Sequence, residues 1–231
     1  MLSKLFKPKN DKYSFLSVND SSTEFEIDKW TASRFIVDKI LPITGYSPYP
    51  LDELILMVGT VCRFRPTHIF EWGTHIGKSA RIFYETITNF HIETEVYSFD
   101  LPDDIEHVEH PHKQRGILVK GLNNVHLFQE DGLLKSFEIF ENSLIKNKRA
   151  LFYVDGDHSY ETVYRELEAI LTNIPNAIVL LHDTFYQSNE PGYNIGPHEA
   201  INDVLAKFSS KYYRLDTKMG LPGMTLLYKL I

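Results

Sequence analysis

The chain reads as an α/β protein built on a doubly wound sheet, and three features of the sequence predict this. From Thr67 onward, short β-rich runs alternate with amphipathic helical stretches, the pattern of a parallel sheet covered on both faces. Residues Phe70 to Ser79 read Phe-Glu-Trp-Gly-Thr-His-Ile-Gly-Lys-Ser, a glycine-bearing turn between an apolar run and an amphipathic one. Near the end, Gly220-Leu221-Pro222-Gly223 separates two strand-like runs with no room for a crossover helix. A β-hairpin there makes the last strand antiparallel to its sheet.

The elements follow in order. Residues up to about Thr23 are polar and weakly patterned, and are expected to form a loosely held arm. Phe25 to Leu41 carries Phe25, Trp30, Phe35, Ile36, Val37 and Ile40 at roughly helical spacing, with Pro42 as its stop. A Pro/Gly/Tyr connector leads to Pro50, which opens a second helix with Leu51, Leu54, Ile55 and Val58 on one face. These two helices read as cover for the sheet, with Trp30, Tyr46 and Tyr49 candidates to cover a cleft mouth and ordinary core the alternative, stronger for Trp30 than for the two tyrosines. Strands are expected at His68–Glu71, Val96–Asp100, Val125–Glu130, Ala150–Asp155 and Ala177–His182, and in a hairpin of Tyr212–Lys218 with Met224–Lys229. Helices are expected around Lys78–Asn89, His112–Val119, Gly132–Glu141, Tyr160–Thr172 and His198–Phe208. The chain thus divides into an N-terminal arm and helical cap over residues 1–50 and a sheet domain over 51–231.

Composition narrows the partners. The 231 residues, 43% of them hydrophobic, suffice for one large core. A net charge of −7 and a pI near 5.8 argue against a general nucleic-acid or acidic-membrane binder and favour small molecules. The single cysteine, Cys62, forbids an internal disulfide, and Met1-Leu2-Ser3-Lys4 leads into Lys- and Asn-rich sequence instead of an apolar signal core. With no run near the ~20 apolar residues of a membrane span, a cytoplasmic protein is expected. The apolar N-terminal helices leave a homo-oligomer open.

The Phe70–Ser79 turn marks a cofactor site. A strand ending at Glu71 turns through Gly73 and enters a helix near Gly77, so that bare backbone and helix amides could approach a ligand. Two familiar nucleotide loops fail letter by letter. A P-loop needs Gly-x-x-x-x-Gly-Lys-Ser/Thr, but Trp72 stands where the first glycine belongs. The dinucleotide fingerprint fails because His75 replaces its second glycine. Ligands of doubly wound sheets bind beyond the carboxyl ends of the strands, and those ends are acidic here: Glu71, Asp100, Glu130-Asp131-Gly132, Asp155-Gly156-Asp157-His158 and His182-Asp183.

The Glu-x-Gly-x-x-x-Gly-x-Ser turn resembles the cofactor turn of class I S-adenosylmethionine-dependent methyltransferases, closest to the small O-methyltransferases, catechol type included. Leu151 to Tyr160, reading Leu-Phe-Tyr-Val-Asp-Gly-Asp-His-Ser-Tyr, together with Leu181-His182-Asp183, resembles a bacterial methyltransferase family related to the catechol type. The resemblance runs from about Thr67 to the C-terminus. It implies a Rossmann-like, seven-stranded sheet and S-adenosylmethionine held by Glu71, Gly73, Thr74, Gly77, Ser79, Asp100, Asp131, Gly132 and Asp155. Asp100 falls where the family binds ribose hydroxyls, the alternative being an Asx turn before Leu101-Pro102. Asp131 and Gly132 match the adenine border, the alternative for Asp131 being a helix N-cap.

Methyl transfer from a sulfonium needs an aligned nucleophile, and a hydroxyl needs its proton removed by a base or a metal. By the same resemblance His158 is the candidate base, with Asp155 as its catalytic companion. Asp155 and Asp183 are candidate ligands for Mg²⁺ or another divalent cation. Thr184, which replaces an Asn of the catechol type, and Asp157 or His182 are the candidates to complete that set. The expected activity is O-methylation of a small hydroxylated molecule. An N-methyltransferase, a cephalosporin-hydroxylase-like relative and a non-catalytic S-adenosylmethionine-binding module stay open as alternatives. The histidine tract from His107 to His112 reads as a solvated loop or lid, and Tyr186–His198 as a wall of an acceptor pocket.

Overall fold

A computed structural model describes residues 26–102, 105, 114–186, 194–208 and 212–229. The expected arm up to Thr23, Phe25, the histidine tract and most of the Tyr186–His198 loop lie outside the described residues.

Seven strands form one sheet: β1 (His68–Trp72), β2 (Glu95–Phe99), β3 (Val125–Phe128), β4 (Ala150–Val154), β5 (Ile178–His182), β6 (Tyr213–Asp216) and β7 (Met224–Tyr228). Their order is β3-β2-β1-β4-β5-β7-β6, with the first five parallel and β7 antiparallel to both β5 and β6. The expected closing hairpin is therefore present. Strands β1, β4 and β5 are buried along their whole length, which is why they read as continuous apolar runs instead of alternating ones.

Register places the site. Trp72 pairs with both Phe99 and Val154, so β1, β2 and β4 end level, and Leu181 of β5 pairs with Val154. Residues just past these ends, Asp100, Asp155 and His182-Asp183, consequently meet along one rim.

Helices cover both faces. On one side lie α1 (Lys29–Phe35), a π-helical stretch Ile36–Ile40, α2 (Leu41–Thr44), α3 (Leu51–Phe64) and α4 (Lys78–Asn89), whose buried side chains share a core with β1, β4 and β7. On the other lie α5 (Gly132–Asn142), α6 (Tyr160–Asn173) and α7 (Ile195–Lys207). No described helix is long and apolar enough to cross a membrane.

Four expectations need correction. Pro42 does not stop the first helix: it occupies the first turn of α2, where a missing amide hydrogen costs nothing, and Gly45 at φ 69° ends the segment. Residues 115–121 form turns where the helix expected over His112–Val119 would run, because Gly116 and Gly121 take φ of 62° and 81°; the start of that expected helix lies outside the described residues. That loop docks on the turn after β1 through Gly116 N–H to His75 O (2.8 Å) and Leu118 N–H to Ile76 O (3.1 Å). Trp30 is 88% exposed instead of core, and Leu51 is exposed off the buried face of α3. Of the two connector tyrosines, Tyr46 is exposed while Tyr49 is buried.

Candidate active site

A cavity of about 1150 Å³ opens at the rim, and Gly73, Thr74, Ser79, Asp100, Asp131, Gly132, Asp155, Asp157, His158, His182 and Asp183 all line it. The sheet thus brings together most of the residues the sequence singled out. Glu71, Gly77 and Thr184 stay outside its lining.

Two glycines of the rim are required by close contacts within the fold. A Cβ on Gly73, at φ 101°, would stand 2.2 Å from the Asp155 carbonyl oxygen. On Gly132 it would stand 2.3 Å from Cδ1 of Trp72. Gly77 takes φ 87° as the left-handed residue that starts α4. Backbone bonds finish the junction: Gly73 and Thr74 N–H donate to Phe99 O (2.9 and 3.2 Å), and Asp155 N–H donates to Trp72 O (3.1 Å).

Glu71 departs from its expected part. Its side chain is fully buried beneath the turn and accepts a hydrogen bond from Ser98, whose hydroxyl also meets Thr74 Oγ1 at 2.6 Å. Burial pushes the Glu71 carboxyl up to about 8, against the pull of the Ser79 and Ser98 hydroxyls. Glu71 thus sits beneath the turn and outside the cavity lining.

Asp100 is held from behind. Its Oδ2 accepts from His75 N–H at 2.8 Å and stands 3.5 Å from Arg115 Nε, and its Oδ1 accepts from Leu101 N–H at 2.7 Å. These bonds fix the carboxylate at the cavity edge. Asp131 caps α5, accepting from Leu133 N–H (2.8 Å) and Leu134 N–H (3.4 Å) through Oδ1, so the cap reading is correct while the residue still faces the cavity.

Two of the supplementary metal candidates have other occupations. Asp157 accepts from Ser159 N–H (2.9 Å), Ser159 Oγ (3.0 Å) and Thr162 Oγ1 (2.7 Å) at the start of α6. Thr184 is buried, accepts from Thr225 Oγ1 at 2.9 Å and donates its N–H to Gly223 O. The third candidate, His182, is where the structure puts its weight.

His182 ends β5 among three carboxylates. Its Nε2 lies 3.1 Å from Glu53 Oε2, and its Nδ1 lies 3.1 Å from Asp155 Oδ1 and 3.0 Å from Asp183 Oδ2. Burial alone would lower its pKa, but Asp155, Asp183 and Glu53 outweigh burial and hold it well above the ordinary imidazole value. Burial likewise works to raise the Asp155 carboxyl, and the His182 charge and bond, with His158 and Tyr49, more than offset it and keep the group below the ordinary value. Asp155 Oδ2 accepts from two tyrosine hydroxyls, Tyr49 (2.9 Å) and Tyr153 (3.1 Å). Asp183, at φ 55°, also reaches His158, with Oδ2 3.3 Å from Nδ1. Among the described residues, Asp155, His182 and Asp183 form a group whose ligand atoms lie within 4.8 Å of one another.

Sequence reasoning missed Glu53 altogether and gave Tyr49 no bond to Asp155. Glu53 stands at helical spacing from buried Met57 and Thr60, and a carboxylate on that apolar face was the available signal. Its side chain is 2% exposed, and its Oε1 accepts from Gly223 N–H at 2.8 Å.

The sheet order, the antiparallel closing strands and the acidic rim define a class I S-adenosylmethionine-dependent methyltransferase domain. Residues 70–184 match the family described as "Methyltransferase domain". In fold it is similar to an O-methyltransferase from Bacillus cereus solved in complex with SAH, at 13% identity and TM-score 0.53 over 84% of this chain and 90% of that one. It is also similar to cmcI-D160 with Mg-SAM, at 14% identity and TM-score 0.52 over 78% of this chain and 72% of that one. A curated relative, the uncharacterized protein y4gI of Sinorhizobium fredii, is 27% identical over 132 residues, 57% of this chain. The chain spans 14% of that relative's length.

Proposed function

We propose that the protein transfers a methyl group from S-adenosylmethionine to a hydroxyl of a small molecule. The observation that carries this reading is the convergence on one cavity of a fixed carboxylate, Asp100, and a histidine–carboxylate pair, His158 with Asp183. Asp100 presents its remaining acceptor capacity to vicinal ribose hydroxyls, a charge-assisted pairing. Gly132 and Asp131 border the adenine, and Thr74, Ser79, Gly73 and Asp155 face the rest of the cofactor. Gly77 and Glu71 act one layer down, by shaping the turn.

Asp183 fixes the His158 ring by accepting from Nδ1–H, so the basic lone pair falls on Nε2, which takes the proton of the acceptor hydroxyl. The donor set of Asp155, His182 and Asp183 fits a divalent cation. When bound, such an ion acidifies the acceptor hydroxyl and supplies positive charge to the oxygen that attacks. Tyr49 ties the helical cap to the rim through Asp155, so we assign residues 26–50 and the sheet domain to a single working unit.

Incubation with methyl-labelled S-adenosylmethionine and pools of phenols, sugars and amines tests the activity. Label in the hydroxylated pools supports the reading. Label only in amines would make this an N-methyltransferase, and cofactor binding without label would make it a binding module.

A further inference from the structure

We propose that His182 is itself a metal ligand through Nδ1, and that Glu53, from outside the matched domain, is the residue that sets its tautomer and aim. This deepens the divalent-cation reading above and rests on it. Glu53 Oε2 stands 3.1 Å from Nε2. A carboxylate there keeps the hydrogen on Nε2, so when an ion displaces the proton that Nδ1 otherwise shares with Asp155 and Asp183, the freed lone pair on Nδ1 is the ligating one. Metal-bound histidines commonly donate their other ring N–H to a carboxylate in this way.

Three further observations point at the same ligand set. The separations of Nδ1 from Asp155 Oδ1 and Asp183 Oδ2, 3.1 and 3.0 Å, are close to the ~3 Å expected between neighbouring ligands about 2.1 Å from a common ion. Both tyrosine hydroxyls that bind Asp155 fall on Oδ2, which leaves Oδ1 turned to the cluster. Glu53 cannot swing away cheaply, because its Oε1 holds the buried Gly223 amide and withdrawal would leave that donor unpaired. One nitrogen and two carboxylates suit Mn²⁺, Co²⁺ or Zn²⁺ better than Mg²⁺, which takes oxygen ligands.

The full-length protein is loaded with Cu²⁺ as a paramagnetic probe, and pulsed electron paramagnetic resonance reads the ligand nitrogens. Imidazole modulation present in the wild type and in His158→Gln, but absent in His182→Gln, is the expected result. Titration calorimetry with Mn²⁺ and Co²⁺ should show Glu53→Gln binding about 10- to 100-fold more weakly, with S-adenosylhomocysteine affinity within about twofold of wild type. If Glu53→Gln does not fold, Glu53→Asp, which falls short of Nε2, must show the same loss. Modulation that survives His182→Gln, or undiminished metal affinity in both Glu53 variants, overturns the proposal while leaving an oxygen-only metal site standing. Failure of Mn²⁺, Co²⁺ and Mg²⁺ alike to bind protein that still binds S-adenosylhomocysteine overturns the metal reading itself.

Discussion

Asp183 Oδ2 lies 3.3 Å from His158 Nδ1, joining the loop after β4 to the end of β5. On the proposed mechanism, a carboxylate on Nδ1 leaves Nε2 to act as the base. His158→Ala is expected to lower kcat by roughly 10²- to 10⁴-fold with cofactor affinity unchanged within about twofold. Single-turnover methyl transfer beside calorimetry checks this, and equal turnover would leave His158 a structural residue.

Two backbone amides hold Asp100 at the cavity edge, where the proposed function places two ribose hydroxyls. Removing a charged acceptor from such a site costs about 1.5–3 kcal/mol, so Asp100→Ala should weaken S-adenosylhomocysteine binding roughly 10- to 100-fold. Unchanged affinity by calorimetry would take Asp100 out of the cofactor site.

Glu71 makes stability depend on pH. Its carboxyl is raised by burial from 4.5 to about 8 in the fold, so the folded state binds the proton more tightly than the unfolded chain. Its contribution is therefore complete below about pH 4.5 and declines, by up to about 1.4 kcal/mol per pH unit, as pH rises toward 8. Glu71→Gln mimics the protonated acid and should flatten that decline in urea unfolding between about pH 5 and 8. A variant curve parallel to the wild type would refute it.

Gly73→Ala sets a methyl 2.2 Å from the Asp155 carbonyl at φ 101°. Backbone clash and positive φ together should destabilise the fold by at least about 2 kcal/mol, read as a lower thermal midpoint. Gly45→Ala, at φ 69° with open space around its Cβ, separates the two causes and should cost only the φ strain.

Chelation tests the cation. EDTA is expected to abolish methyl transfer, and Mn²⁺ or Co²⁺ to restore it more fully than Mg²⁺. Full activity in EDTA would leave His158 with Asp183 as the whole proton-removing apparatus.

Much of the fold was legible because its signals are local. Alternation of apolar runs and amphipathic helices marks strands that are buried on both faces, and Lys78–Asn89 forms a helix with the bounds the sequence suggests. The turn after β2 was misread because strand–helix alternation carries no information about Gly116, whose φ of 62° accompanies its docking on His75. Trp30 failed for a related reason: a large aromatic at helical spacing reads as core, yet which helix face meets the sheet is a tertiary matter. Glu71 illustrates a third kind of limit. Its position at the strand end was clear, but its protonation follows from burial, which no motif records.

The sequence by itself determined the alternating layers, the place of the glycine turn and the acids that follow the strands, since each depends on neighbours within one or two turns of chain. Only the tertiary structure decided which acids are taken up at helix starts, as Asp131 is in capping α5 and Asp157 in bracing the Ser159 cap of α6, and which meet a histidine, as Asp155 and Asp183 do. It alone brought Glu53 to an amide 170 positions away at Gly223, and Tyr49 to Asp155. The physical reason is that hydrogen bonds and ion pairs act over about 3 Å of space whatever the separation along the chain. Partners that meet only when the cap helices close on the sheet leave no pattern in the residues beside them.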